Sequence, residues 1–392
     1  MNRRAVLAAV GSVVGSGCLR LTDDATTSRA STSDGEPTTV ATTQGGTTET
    51  RTENPTTAKP ELVREWQVGV GGEGIAVDDE TVFVQTGGVV TAVDGTAGAK
   101  RWEVSLGVPT GGAKPFAFGE DLVFTAGDGK VFAIEPSGPT VRWQRETQFN
   151  EVRDLLVHEG RLYAVDFERQ EGNTPAGLYA FDTDGGTVAW SAEYRSDSED
   201  RWPRELAAVG DVLYVGMYQG LFEYDLATGR KRTHETEDGT VVEHNPTLAG
   251  GFCRREDGLL WLVGSVRGPD TLQKYDPAAD EVRWEADVHS TPRAGPVLTD
   301  DSVVVGSNSG FFAYDRSDGA KRWEKLTREW PYMTTTVGDV VVGSDRSRTM
   351  YGMNPAGEVL FERGVEKTYH SVASLEDTLV VATQNLTGHS FR

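Results

Sequence analysis

The chain has 392 residues, 25% of them charged and 37% hydrophobic, which fits a soluble body of two or three domains or one large repeat structure and excludes a polytopic membrane protein. With 38 basic against 60 acidic residues the formal charge is −22, which excludes nucleic-acid binding through a broad basic face and adhesion to an anionic membrane by charge alone. The two cysteines, Cys18 and Cys253, exclude a disulfide framework and a cysteine-rich metal site.

The first 18 residues read as an address. Arg3-Arg4 give a positive end, and Ala5 to Gly17 form an apolar-to-small run too short for a bilayer, which needs about 20 residues. Arg3-Arg4-Ala5-Val6-Leu7 resembles the twin-arginine export motif, which carries folded proteins across the membrane. Ser16-Gly17-Cys18 resembles the end of a lipobox, with Gly15 where the pattern prefers Leu. That resemblance implies lipid attachment at Cys18; the alternative is a plain cleaved signal. Residues 19–60 follow as a tether. Within 22–60, 17 of 39 positions are Ser or Thr, and Phe, Trp, Tyr, Leu and Ile are absent. Such a segment cannot offset its chain entropy by burial, so disorder is expected. Its composition suits an O-glycosylated stalk or an unmodified linker. As a flexible coil it spans roughly 35 Å.

Residues 61–392 repeat one unit. Trp66, Trp102, Trp143, Trp190, Trp284 and Trp323 recur, with Thr233 filling the long gap and Phe361 ending the series. The aromatic follows a fixed lead-in, as in Tyr179-Ala180-Phe181-Asp182 before Trp190 or Phe312-Ala313-Tyr314-Asp315 before Trp323. The Asp opens a turn that Gly closes, Asp capping by its side chain and Gly taking positive φ. Upstream, Leu122–Ala126 and Lys130–Ile134 flank Gly127-Asp128-Gly129 as a hairpin, and Pro115–Phe118 precedes them as one more strand. Four antiparallel strands per unit, with no convincing helical period, predict propeller blades. The ends are complementary. Tyr369–Arg392 supplies three strands and stops, while Arg64–Val68 is a fourth strand with no first three. Pairing them closes the ring at eight blades; seven results if the Thr233 unit is irregular.

The Ala-x-Asp, Thr-Gly, Trp pattern resembles the PQQ-type repeat of quinoprotein-like propellers. That family includes quinone-dependent alcohol dehydrogenases and a lipid-anchored propeller of outer-membrane assembly. The acid excess with few lysines resembles proteins of salt-loving prokaryotes. In the dehydrogenases the resemblance implies pyrroloquinoline quinone with calcium, an Asp base and adjacent cysteines. This chain has no adjacent cysteines, so the expectation is no cofactor and no catalysis, with a quinone dehydrogenase or a degenerate small-molecule binder as the alternative. Cys253 reads as a small buried hydrophobe. The six histidines, at 158, 234, 244, 289, 370 and 389, show no pair at metal-ligand spacing. Asp182-Thr183-Asp184-Gly185 is faintly calcium-loop-like but coincides with the repeat's turn. Asn385-Leu386-Thr387 is a glycosylation sequon.

Segments entering the innermost strands would line the channel mouth. They are read as carrying Lys114, Arg153, Arg204 and Arg293, with His244, Asn245, Trp330, Tyr332 and His370. A basic and aromatic mouth in an acidic body would focus field on an anionic or polar ligand; alternatively Asp154 and Glu205 neutralise the adjacent arginines. The expected function is a non-catalytic binding or scaffold module for an envelope protein or extracellular ligand. It would be lipid-anchored on the outer face of the cytoplasmic membrane, monomeric, and without nucleic-acid partners.

Overall fold

The computed structural model describes residues 60–392 apart from 73, 110–114, 148–151, 167–175, 195–202, 218–219, 237, 266–269 and 366–370. The export signal, Cys18, the tether, Lys114 and His370 therefore lie outside the described residues.

Each unit alternates apolar residues along three strands that bury both faces and carries a polar, half-exposed fourth strand. That pattern suits a sheet packed between two neighbours and open only at its rim. Blade 1 comprises Gly74–Asp78, Thr81–Thr86, Val89–Asp94 and Lys100–Ser105, paired antiparallel in that order. Blades 2, 3, 5, 6 and 7 begin at Phe116, Val152, Phe252, Pro292 and Pro331 and repeat the order. The first strand of every blade touches the first strands of both neighbours around a closed circuit of eight, so these strands form the hub. No helix occurs among the described residues.

Blade 8 joins the chain ends. Its strands Ser371–Leu375, Thr378–Ala382 and Leu386–Phe391 take Leu62–Val68 as the fourth. Leu62 lies opposite Phe391, Arg64 opposite His389 and Trp66 opposite Gly388. Beyond the sheet, Glu61 N–H donates to the Arg392 carbonyl at 2.7 Å, and Arg392 N–H returns to Glu61 at 3.0 Å. The Arg392 guanidinium pairs with Glu65 at 2.8 Å.

Blade 4 departs from the pattern. Lys231 bridges to Tyr224 as the fourth strand begins. After Thr233 the chain leaves the sheet through a small hairpin, His234–Glu235 against Val241–Val242, and returns as His244–Asn245 beside Phe222 and Leu221. Thr233 thus holds the position that Trp holds elsewhere, and the unit completes a blade despite its detour.

The tryptophans join blades. The indole N–H of Trp66 donates to the Gly95 carbonyl in the next blade's turn, and Trp102, Trp143, Trp190, Trp284 and Trp323 reach Pro136, Thr183, Leu226, Arg316 and Pro355 at 2.8–3.1 Å. The receiving turn is built by its Asp: Asp94 Oδ1 accepts from Thr96 and Ala97 N–H at 3.0 and 2.9 Å. The turn's closing Gly lies flat against the indole. At Gly98, φ is +66°, and a β-carbon would come within 2.8 Å of the Trp66 ring. Only Gly satisfies both conditions. Asp182 makes the same turn, its Oδ1 accepting from Asp184 N–H at 3.0 Å, so the calcium-loop look of this segment is the repeat's own capping.

Two outcomes follow. Trp66 is buried and hydrogen-bonded, so Trp66→Ala should destabilise by about 3–5 kcal/mol in equilibrium unfolding; a loss under about 1 kcal/mol would contradict the clasp. His389, buried in the closing blade with Arg363 and Arg64 nearby, has its imidazole pushed down to about 4 by burial first and those charges second. The unfolded chain protonates near pH 6.5 while the folded one resists. Stability from this group is therefore complete above about 6.5 and lost as pH falls to about 4. His389→Gln should flatten that limb of the pH–stability curve.

Candidate functional site

Strands enter the hub on one face, and the turns between second and third strands emerge on that same face. It gathers most of the residues singled out from sequence. Arg153 opens the first strand of blade 3 and is buried, only 8% exposed. Arg204 enters blade 4 with its guanidinium 5.3 Å from the Phe252 ring centroid. Arg293 enters blade 6, donates from Nε to Asn308 Oδ1 at 2.5 Å, and stacks 4.4 Å from the Trp330 ring. Arg346, from the turn of blade 7, covers Trp330 at 5.2 Å, so two guanidinium groups grip one indole. Tyr332 follows in the same strand, Pro331–Val337. Asn385 of the sequon sits half-buried in the corresponding turn of blade 8, its carbonyl accepting from Thr383 N–H at 2.9 Å.

His244 and Asn245 are not part of this mouth. They form the outermost strand of blade 4, His244 against the Phe222 ring at 6.0 Å. The hairpin detour displaces them: a reading that takes each post-Trp segment as an entry to the hub counts them one blade too early.

Below the mouth, acids tie the hub together. Asp154 Oδ2 accepts from the Leu206 N–H of the next blade at 2.7 Å, and Oδ1 accepts from Leu155 N–H at 2.9 Å. One blade on, Glu205 Oε2 accepts from Cys253 N–H at 2.9 Å. Asp154 and Glu205 hold equivalent positions, and at that position other blades carry Gly74, Phe252, Ala294 and Ser371. Gly295 approaches so closely that a β-carbon there would lie 3.0 Å from Glu205 Oε1. Arg254 beside them is pushed below the ordinary guanidinium range by burial, an effect the Glu205 carboxylate partly offsets. Cys253 is buried, its Sγ 3.7 Å from the Glu205 carbonyl, and packs in an apolar cluster with Leu260 and Leu262. The sequence reading missed Arg254, Asn308 and Arg346. Aligning the turns between second and third strands would have found the last two, because those turns share the mouth's face.

Eight such blades, clasped by indoles and closed by the chain ends, define a propeller of quinoprotein-type repeats. The chain belongs to the family described as outer membrane protein assembly factor BamB, whose pattern matches residues 86–244 and 235–389. Its fold is similar to BamB from Moraxella catarrhalis, with TM-score 0.64 and 16% identity over 84% of this chain and 100% of that one. It is also similar to the computationally designed Ika8 protein, with TM-score 0.62 and 13% identity over 85% and 100% of the two chains. The Dos1 propeller gives TM-score 0.58 and 12% identity over 85% and 94%. No curated protein matches the sequence.

Asp154→Ala should leave a buried Leu206 N–H without its acceptor and cost about 1–3 kcal/mol in denaturant unfolding. Asp154→Asn, which keeps one acceptor oxygen, should cost less; equal losses would deny the inter-blade role.

Proposed function

We propose that this protein is an exported, lipid-anchored propeller that binds envelope proteins, or an extracellular ligand, without catalysing a reaction. Membership of the BamB family carries the reading, since a sequence match over 86–389 is shared with an assembly factor. The mouth supplies the chemistry. Arg204, Arg293 and Arg346 stand on a stiff hub in a chain of charge −22, a local cationic, aromatic surface suited to an anionic or polar partner group. Cys18 would carry the lipid and the Ser/Thr-rich tether would hold the ring off an acidic membrane surface. Placement on the outer face of the cytoplasmic membrane, reached by the twin-arginine route, follows from that address. The low lysine content and acid excess fit a salt-loving source.

The quinone-dehydrogenase alternative finds little support at the hub. A base and calcium ligands would need carboxylates facing open space. Asp154 and Glu205 are instead spent on backbone N–H groups of neighbouring blades, and Gly295 crowds Glu205. Among the described residues no three of His, Cys, Asp and Glu converge as a metal site. Asp154 and Glu205, held in this way, do not supply that base or those calcium ligands.

Capture of partners from native membranes in high salt tests the proposal. Replacing Arg204 and Arg293 with Gln should reduce recovery of the captured protein at least tenfold while the ring stays folded. Undiminished capture would remove the mouth from the binding surface. Appearance of a bound-quinone absorbance after incubation with pyrroloquinoline quinone and calcium would overturn the non-catalytic reading.

A further inference from the structure

Where blade 4 meets blade 5, the repeat's clasp is missing. Thr233 stands in place of the indole and is exposed. The turn carbonyl that would receive the indole N–H is that of Pro277, the residue after Asp276, just as Leu226 follows Asp225 and Arg316 follows Asp315. Two further departures occur at the same junction. The closing Gly of the turn is replaced by Asp280, which holds φ at +51° despite its side chain. The residue across from the indole is Ala in blades 1, 2, 3 and 6, whereas here it is Glu223. The junction has thus lost an internal planar donor and gained two carboxylates.

A cleft of about 1020 Å³ occupies the vacated place. Tyr214, Glu223, Tyr275, Pro277 and Asp280 line it, with Thr233 at its edge. It opens beside the turns between third and fourth strands, on the opposite face from the hub mouth. Glu223 is only 5% exposed, and its Oε1 accepts from Asn245 Nδ2 at 2.9 Å. Tyr275 donates to Asp280 Oδ1 at 2.7 Å. His234 Nε2, at 3.6 Å from Glu223, makes no hydrogen bond. Of the basic residues that line it, Lys231 pairs with Glu243 at 2.8 Å and Arg232 with Asp211 at 2.9 Å, while Arg230 is exposed at its edge. Around Glu223 and Asp280 the cleft therefore offers carboxylates, a backbone carbonyl and the phenol rings of Tyr214 and Tyr275, with His234 the basic group beside Glu223.

We propose that this cleft receives a guanidinium side chain presented by an extended segment of a partner protein. A guanidinium is planar like the indole it replaces, stacks on tyrosine faces, and donates several hydrogen bonds in a fork that matches Glu223 and Asp280. The cleft is several times larger than one side chain, so flanking residues of the segment enter with it. The net charge of −22 draws a basic segment toward the ring before contact. The site is separate from the hub mouth, and either can fail without the other.

Fluorescence polarisation with the full chain and a labelled Gly-Ser-Arg-Ser-Gly peptide tests it. The arginine peptide should bind at least tenfold more tightly than its glutamine counterpart, and Glu223→Gln should cut that preference at least tenfold. Arg293→Gln, at the hub, should leave it unchanged. The double variant Thr233→Trp with Asp280→Gly restores the repeat's own clasp; it should raise the melting temperature and abolish peptide binding, which keeps the test decisive if Glu223→Gln fails to fold. Equal affinity for the two peptides, no binding at all, or binding that survives the double variant would overturn the proposal. So would occupation of the cleft by a neutral oligosaccharide in preference to the arginine peptide.

Discussion

An indole N–H buried between two sheets needs an acceptor, and leaving one unmade costs about as much as a lost hydrogen bond. In this ring the acceptor is always on the next blade: Trp66 finds Gly95, Trp143 finds Thr183, Trp190 finds Leu226. The bond requires a folded receiving turn; at Trp66, Trp143, Trp190, Trp284 and Trp323 a Gly of that turn lies under the ring, whereas at Trp102 the turn's Gly138 stands clear of it. Each blade thereby fixes the angle of its successor, and six junctions share the same indole-to-turn hydrogen bond. A string of sheets that could have stacked as a loose solenoid is turned by a constant step and meets its own beginning.

The two junctions without Trp show how tightly the clasp depends on that turn. Phe361 of blade 7 faces blade 8, in which the third and fourth strands come from opposite ends of the chain. No turn connects them, so no turn carbonyl awaits a donor there. A phenyl ring, which has no N–H to satisfy, packs instead on Phe391 at 5.8 Å. At Thr233 the cause differs. The turn exists, but its Gly is Asp280, whose side chain occupies space that an indole would need. Both substitutions alter donor and receiver together, as a physical clasp requires.

Most of the architecture was legible because a repeat supplies its own controls. Arg64–Val68 could be recognised as a fourth strand lacking three, and Tyr369–Arg392 as three lacking a fourth, without any coordinates; the pairing of Arg64 with His389 completes them. Strand edges were placed within a residue or two, as for Lys130–Ile134. The site was less legible. His244 and Asn245 were assigned to the hub mouth because an inserted hairpin, too short to break the spacing of the series, moved them to the rim. Arg346 was passed over because its partner Trp330 lies in a different connection, and only the ring brings the two turns onto one face. Sequence spacing reports which strand a residue belongs to; it does not report which residues two neighbouring blades bring together.

The charge distribution gives the ring two unlike faces. On the hub-entry face, arginines are held by aromatic rings and an amide: Arg204 by Phe252, Arg293 by Trp330 and Asn308. At Arg293 neither the ring nor the amide carries a charge to cancel the guanidinium's, and a body otherwise acidic makes that charge conspicuous to an approaching anion. On the opposite face, Asp94, Asp225 and Asp315 cap turns, and side-chain hydrogen bonds from Arg101, Thr228 and Ser317 first, with backbone N–H groups second, hold their carboxyls below the usual range and keep them ionised. The acid excess at those turns is thus partly structural, fixed by the same Asp that prepares the indole's receiver. Fourth-strand arginines answer those carboxylates, Arg101 at Asp94, Arg283 at Asp276 and Arg322 at Asp315, so on that face the two signs meet in ion pairs, whereas at the hub entry Arg293 meets an indole and an amide, which carry no charge.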